Sequence, residues 1–232
     1  MLLKIDCSYP KVCSGARYSR KVLKRYTGSE DATQSYLCFL RLNIRTFLTL
    51  LLALEDELKT CKIGIANQQP LSDCVTPIMQ RVLPALRLYS SWLFKNISVL
   101  ANDVDPTFAP LQAELWSAFA RSLSLINAKF APDRLPAPLD YMLDEDEDTI
   151  GFKALHCDEN QYIWYNESGL RPKWHDMPVQ EREIGTEMLS RLRDLLTVGV
   201  ALVVDRVSGI LISMDLRPFA DLILAVTTWL CC

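Results

Sequence analysis

The sequence predicts an all-α domain built of helical hairpins, and three observations carry that expectation. Apolar residues recur at helical spacing through several long segments. Prolines and capping residues stand where those segments begin. One short aromatic run, Gln161 to Tyr165, is the stretch that reads as a strand or an extended packing segment.

The first helix follows Thr33, whose hydroxyl can accept from a free helix N–H. Leu37, Leu40, Ile44, Phe47, Leu48, Leu51 and Leu54 then repeat every three or four residues. Residues 47–54 are apolar nearly all round, which implies burial on several sides. The polar end from Glu55 to Lys59 closes this helix, and Gly64 and Pro70 separate it from the next. A second helical region spans 71–101, with Thr76-Pro77 as a favoured start. Its stripe is Val82, Ala85, Leu86, Tyr89, Leu93, Ile97 and Leu100, and Pro84 either kinks the helix or marks its beginning. Pro110 opens a third helix whose inner face is Leu111, Leu115, Phe119, Leu123, Ile126 and Phe130. A fourth spans 179–204 with Met188, Leu189, Leu192, Leu195 and Leu196 inward. Glu187 and Arg191 sit four apart there and read as an exposed ion pair. Pro218 starts a short last helix.

With 232 residues, half of them hydrophobic and 23% charged, the composition is globular. A net charge of −3 argues against a domain that binds nucleic acid by overall charge. The charge is uneven, however. Residues 1–26 hold seven Lys/Arg against Asp6, while residues 140–159 hold eight acids against Lys153. The chain therefore divides into a basic arm at 1–32, a helical domain at 33–204 with an acidic linker at 132–178, and an apolar extension at 205–232.

The eight cysteines are scattered, and Met1 to Asp6 lacks the apolar core of a secretory signal. Free thiols in a reducing compartment are expected, and the glycosylation sequons at Asn96 and Asn166 read as chance matches. The longest uninterrupted apolar runs, 195–204 and 222–232, are half the ~20 residues a membrane helix needs, so no membrane partner is expected.

Five consecutive acids, Asp144–Asp148, invite a metal reading that their spacing defeats. In a calcium loop starting at Asp144, the required glycine is Thr149 and the bidentate glutamate is Leu155. The two histidines, His156 and His175, stand nineteen residues apart, and no C-x-x-C accompanies them. His156-Cys157 reads more readily as an idle pair than as a reactive thiolate. No Walker loop, G-x-S-x-G or G-x-G-x-x-G is present. No catalytic residue, metal or cofactor is therefore expected.

Two other groups carry expectations. Arg17, Arg20, Lys21, Lys24 and Arg25 are interleaved with Tyr18 and Tyr26, a pattern that suits phosphate contact and base stacking. A plain solvated basic tail has the same composition. After the acids, Ile150 and Phe152 read as an apolar plug between helices, with Gly151 allowing close approach. In that picture the acids stay in water, so neutralising Asp146 costs little, whereas Phe152→Ala costs about 3–5 kcal/mol.

Taken in order, several of these stretches resemble a known family. They are Leu83-Pro84-Ala85-Leu86 through Trp92-Leu93, Tyr141-Met142-Leu143 with the acids, Ile150-Gly151-Phe152-Lys153, and the helix from Thr186 to Leu195. Phe39-Leu40-Arg41-Leu42 adds to them. Together, over about 35–204, they resemble the Est1-type DNA/RNA-binding domain of the Ever Shorter Telomeres and SMG nonsense-mediated-decay family, in its fungal branch. The resemblance implies a superhelical array: the rear of a 14-3-3-like tetratricopeptide region followed by helical hairpins. It also implies action in telomerase regulation or mRNA decay, in nucleus or cytoplasm. Implied partners are single-stranded DNA or RNA and the proteins of telomerase or mRNA-decay complexes. The chain departs from the family in lacking most of the 14-3-3-like half with its phosphopeptide pocket, the nuclease domain, and the proline usual before the acids. A truncated, non-catalytic scaffold is the expectation, with a helical protein-interaction module that binds no nucleic acid as the alternative.

Overall fold

The computed structural model describes residues 30–61, 70–95, 108–149 and 182–204. Its first helix, α1, is Glu30–Thr60. At about 1.5 Å per residue it is ~46 Å long. It begins three residues before the expected Thr33 cap. The helix region expected from residue 71 divides in two. Leu71–Cys74 is a 3₁₀ turn, and α2 is Pro77–Lys95. A proline disfavours helical backbone in the residue before it, so Thr76 cannot carry a helix through to Pro77. Thr76 caps α2 instead, its Oγ1 accepting from the Met79 N–H at 3.2 Å. Pro84 lies inside α2 rather than at its start.

Pro110 sits in the first turn of α3, Ala109–Lys129, as expected. A 3₁₀ turn at Pro132–Arg134 follows, then the short helix α4, Asp144–Asp148. The last described helix is α5, Ile184–Val204. The fold is all-α, and among the described residues there is no strand. The aromatic run at 161–165 and the helix expected from Pro218 lie outside the described residues.

Helices α1 and α5 both pack against α2, and both pack against α3. Phe47 joins three of the four long helices. Its ring stacks on Tyr89 of α2 at 5.4 Å and tilts against Phe119 of α3 at 5.8 Å. Leu115, Phe119, Leu123 and Ile126 of α3 and Phe130 at its end are buried as expected, and so are Met188, Leu189, Leu192, Leu195 and Leu196 of α5. Leu111 is half-buried. Two glycines bring α5 close to its neighbours. A Cβ on Gly185 would lie 2.6 Å from Ser72 Cβ, and one on Gly199 would lie 2.3 Å from Leu123 Cδ1.

Counting uninterrupted apolar runs missed one stretch. By length and composition Ser35–Thr60 suffices to cross a membrane. Here it behaves as a core helix on one face, with Ile44, Phe47, Leu51, Leu54 and Leu58 buried. It also buries Glu55, which pairs with Lys59 Nζ at 2.7 Å and receives Arg121 Nε of α3 at 3.2 Å. Burial raises the Glu55 carboxyl, but Lys59 and Arg121 outweigh that and hold it below its ordinary value.

Candidate functional site

The acidic segment folds as a short helix that turns two of its acids inward. The Leu143 carbonyl accepts from the Asp146 N–H at 2.9 Å and from the Glu147 N–H at 3.1 Å, winding the first turn. Asp146 Oδ2 reaches back to the Leu143 N–H at 3.4 Å. At the other end the Thr149 hydroxyl donates to the Glu145 carbonyl at 2.8 Å. This turn leaves Asp144 with 76% of its side chain in water while Asp146 keeps 1%. Glu145 is buried as well. The expectation that all five acids are solvated is therefore corrected for Glu145 and Asp146.

Their partners are arginines from two helices. Arg87 of α2 donates Nη1 to Asp146 Oδ1 at 2.5 Å and Nε to Asp194 Oδ2 of α5 at 2.7 Å. The same Nη1 is 3.5 Å from Glu145 Oε1. Arg191 of α5 grips Glu145 with two parallel bonds, Nε to Oε1 at 2.8 Å and Nη2 to Oε2 at 2.7 Å. Arg191 Nη1 also lies 3.4 Å from Glu187 Oε2, and the pair is buried, not exposed as expected. Glu145 of α4 lies against Arg191 and Tyr141 donates to Glu187, so both ends of the pair meet protein groups. Arg193 closes the set, reaching Asp194 Oδ1 at 3.0 Å and the Pro136 carbonyl at 3.0 Å. At the rim, Arg182 pairs with Asp144 and lies over the Tyr141 ring at 5.4 Å.

The electrostatics follow from burial and from a small excess of acid. Three guanidiniums (Arg87, Arg191, Arg193) face four carboxylates (Glu145, Asp146, Glu187, Asp194). Burial opposes the charge on Arg87, but Asp146, Asp194 and Glu145 outweigh it and hold the guanidinium protonated well above its ordinary range. Burial likewise pushes Asp194 up, yet Arg87 and Arg193 prevail and hold its carboxyl below the usual value. Asp146 goes the other way, because burial, helped by neighbouring Glu145 and Asp194, exceeds the pull of Arg87. Tyr141, which donates to Glu187 Oε1 at 3.2 Å, is pushed up to about 12 by burial and by that carboxylate.

Such an arrangement can tie helices together but leaves little for reaction. The acids are engaged with guanidiniums and backbone N–H groups, and among the described residues no group of three or more His, Cys, Asp or Glu is placed to hold a metal. The basic residues Arg17, Arg20, Lys21, Lys24 and Arg25 lie outside the described residues, as do His156, Cys157 and the anchor Ile150, Gly151 and Phe152.

Sequence reasoning missed Arg87 and Asp194 and placed Arg191 in an exposed pair, although a signal for burial of both arginines existed. Arg87 stands four residues after buried Leu83 and four before buried Ser91. Arg191 stands three after Met188 and four before Leu195, on the apolar side of α5. A charged residue in a core stripe requires an opposite charge, and the acidic run is the densest source of one.

The fold and this site define an all-α domain held by an internal charge network. More particularly, the chain matches the model of the Est1 DNA/RNA binding domain over residues 11–159 and belongs to that family. No curated protein and no solved structure matches it. The matched span takes in the five basic residues of the arm, α1 to α3 and α4, and it ends before α5.

Two neighbours in the acidic run should respond differently. Asp146→Asn removes a buried charge facing Arg87 and is expected to cost about 1–3 kcal/mol in urea unfolding. Asp144→Asn, largely in water, should stay within about 0.5 kcal/mol of wild type. Equal small effects would return the acids to solvent. A second expectation concerns acid. Because the folded pKa of Asp194 is lowered, its charge contributes stability that is complete above the ordinary aspartate value near pH 4 and lost as pH falls through the folded value. The stability gap between wild type and Asp194→Asn should thus be full at neutral pH and close only at lower pH. A gap that grows on acidification would contradict it.

Proposed function

We propose that this chain is a non-catalytic scaffold associated with nucleic acid or ribonucleoprotein, of the kind that serves telomerase regulation or nonsense-mediated mRNA decay. The family match over residues 11–159 is the observation that carries this reading. Single-stranded DNA or RNA is the ligand, and Arg17, Arg20, Lys21, Lys24 and Arg25 contact its phosphates. The protein partners belong to telomerase or mRNA-decay complexes, and the protein works in the nucleus, the cytoplasm or both. The described helices form part of a superhelical array, the rear of a 14-3-3-like tetratricopeptide region.

A specific observation favours a second reading, a protein-interaction module without nucleic-acid binding. Phe39 is 66% exposed on α1, and Tyr36 and Leu42 lie near it on the same exposed side.

Salt dependence separates the two. Each phosphate neutralised on a single strand contributes about −0.7 to the slope of log K against log salt. Replacing all five basic residues by Gln should reduce that slope by about 3 to 4 for single-stranded RNA or DNA. An unchanged slope would remove the arm from the interface, and no binding by wild type at low salt would favour the second reading.

A further inference from the structure

Cys61 directly follows α1, and Cys74 ends the 3₁₀ turn ahead of α2. Twelve residues separate them in the chain, yet the Cys61 thiol donates to the Cys74 carbonyl at 3.4 Å. Burial, and after it the neighbouring Cys61, hold the Cys74 thiol above its ordinary value. Cys74 lies in the apolar core with Cys61 packed against it, and the charge network uses neither sulfur.

Both positions are held by contacts that do not involve sulfur. The Cys61 N–H donates to the Glu57 carbonyl at 2.9 Å, continuing the bonding of α1. Its carbonyl accepts from Lys129 Nζ of α3 at 2.6 Å. Cys74 is fixed through the turn, where the Val75 N–H donates to the Ser72 carbonyl at 3.1 Å and Leu71 is buried beside it. Ser72 in turn seats Gly185 of α5. A bond between the sulfurs would thus join two places already brought together, which limits the strain that makes many crosslinks unfavourable.

We propose that Cys61 and Cys74 are a redox modification site, forming a reversible disulfide that closes the chain between α1 and the 3₁₀ turn into a covalent loop. The oxidant is a low-molecular-weight disulfide of the glutathione class. Half-buried Cys61 meets it first. The Cys61 thiolate attacks one sulfur of oxidised glutathione, forming a mixed disulfide and releasing one glutathione thiolate. Buried Cys74 then loses its proton to solvent and attacks the Cys61 sulfur, expelling the second glutathione as thiolate. Two protein thiols are oxidised, one glutathione disulfide is reduced to two thiols, and the protons balance. Cys38 is exposed on α1 and has no such neighbour among the described cysteines. It serves as an internal comparison.

The test uses the full chain, incubated with oxidised glutathione under native conditions, alkylated and mapped by mass spectrometry. The expected product is a Cys61–Cys74 linked peptide pair that dithiothreitol removes. Its formation should raise Tm by roughly 5–10 °C over the reduced protein. Cys61→Ser should lose both the linked pair and the rise. Separate glutathione adducts on Cys61 and Cys74 would overturn the proposal. So would free alkylation of both, linkage of either to another cysteine, or a Tm rise retained in Cys61→Ser. Because the mapping is read in the wild-type chain, a variant that fails to fold leaves the test decisive.

Discussion

Burying the Arg87 guanidinium constrains the domain more than any other single choice in the sequence. A charge taken from water costs several kcal/mol, and opposite charge with good geometry must offset it. Arg87 obtains that charge from Asp146 and Asp194, which arrive from α4 and α5, 59 and 107 residues away. Once they are in place, α4 is fixed over α2 and α5 is fixed in register beside it. Arg191 repeats the constraint from the opposite side by gripping Glu145 with two bonds. The network contributes specificity more than raw stability, since apolar residues of similar shape could pack the same space. What it supplies is a fixed set of carboxylates around each arginine, with Glu145 shared by Arg87 and Arg191 and Asp194 shared by Arg87 and Arg193.

The apolar core and this network divide the work. Phe47 and its neighbours hold α1 to α2 and α3, an interaction without direction that tolerates small slips. The ion pairs act on the other side of α2, where the acidic segment would otherwise have little apolar surface to bury. Glycines at 185 and 199 let α5 approach closely enough for both to operate. It follows that α5, although it lies beyond the span matched to the family, completes the structure that the matched acids begin.

The long helices were legible because their apolar residues repeat at 3.6-residue spacing and their prolines stand at starts. The inner faces of α3 and α5 were read residue by residue for the same reason. The split before α2 was less legible, since the stripe looks continuous while the backbone before Pro77 is not free to be helical. The acidic run was misread because composition averages over five positions, whereas a helical turn separates Asp144 from Asp146 by direction. Its pairing with Arg87 and Arg191 is a tertiary event, and no local spacing encodes it. The five basic residues of the arm are read from a pattern of charge and aromatic rings alone, and they lie outside the described residues.

The central claim is that the acidic segment is an internal tie and not a solvated linker. A double-mutant cycle on Glu145→Leu and Arg191→Met, read by urea unfolding, tests it most directly. A coupling energy of at least about 1.5 kcal/mol is predicted, as for close and well-aligned buried pairs. A coupling below about 0.5 kcal/mol, the range of exposed pairs, would contradict the account and return the acids to water.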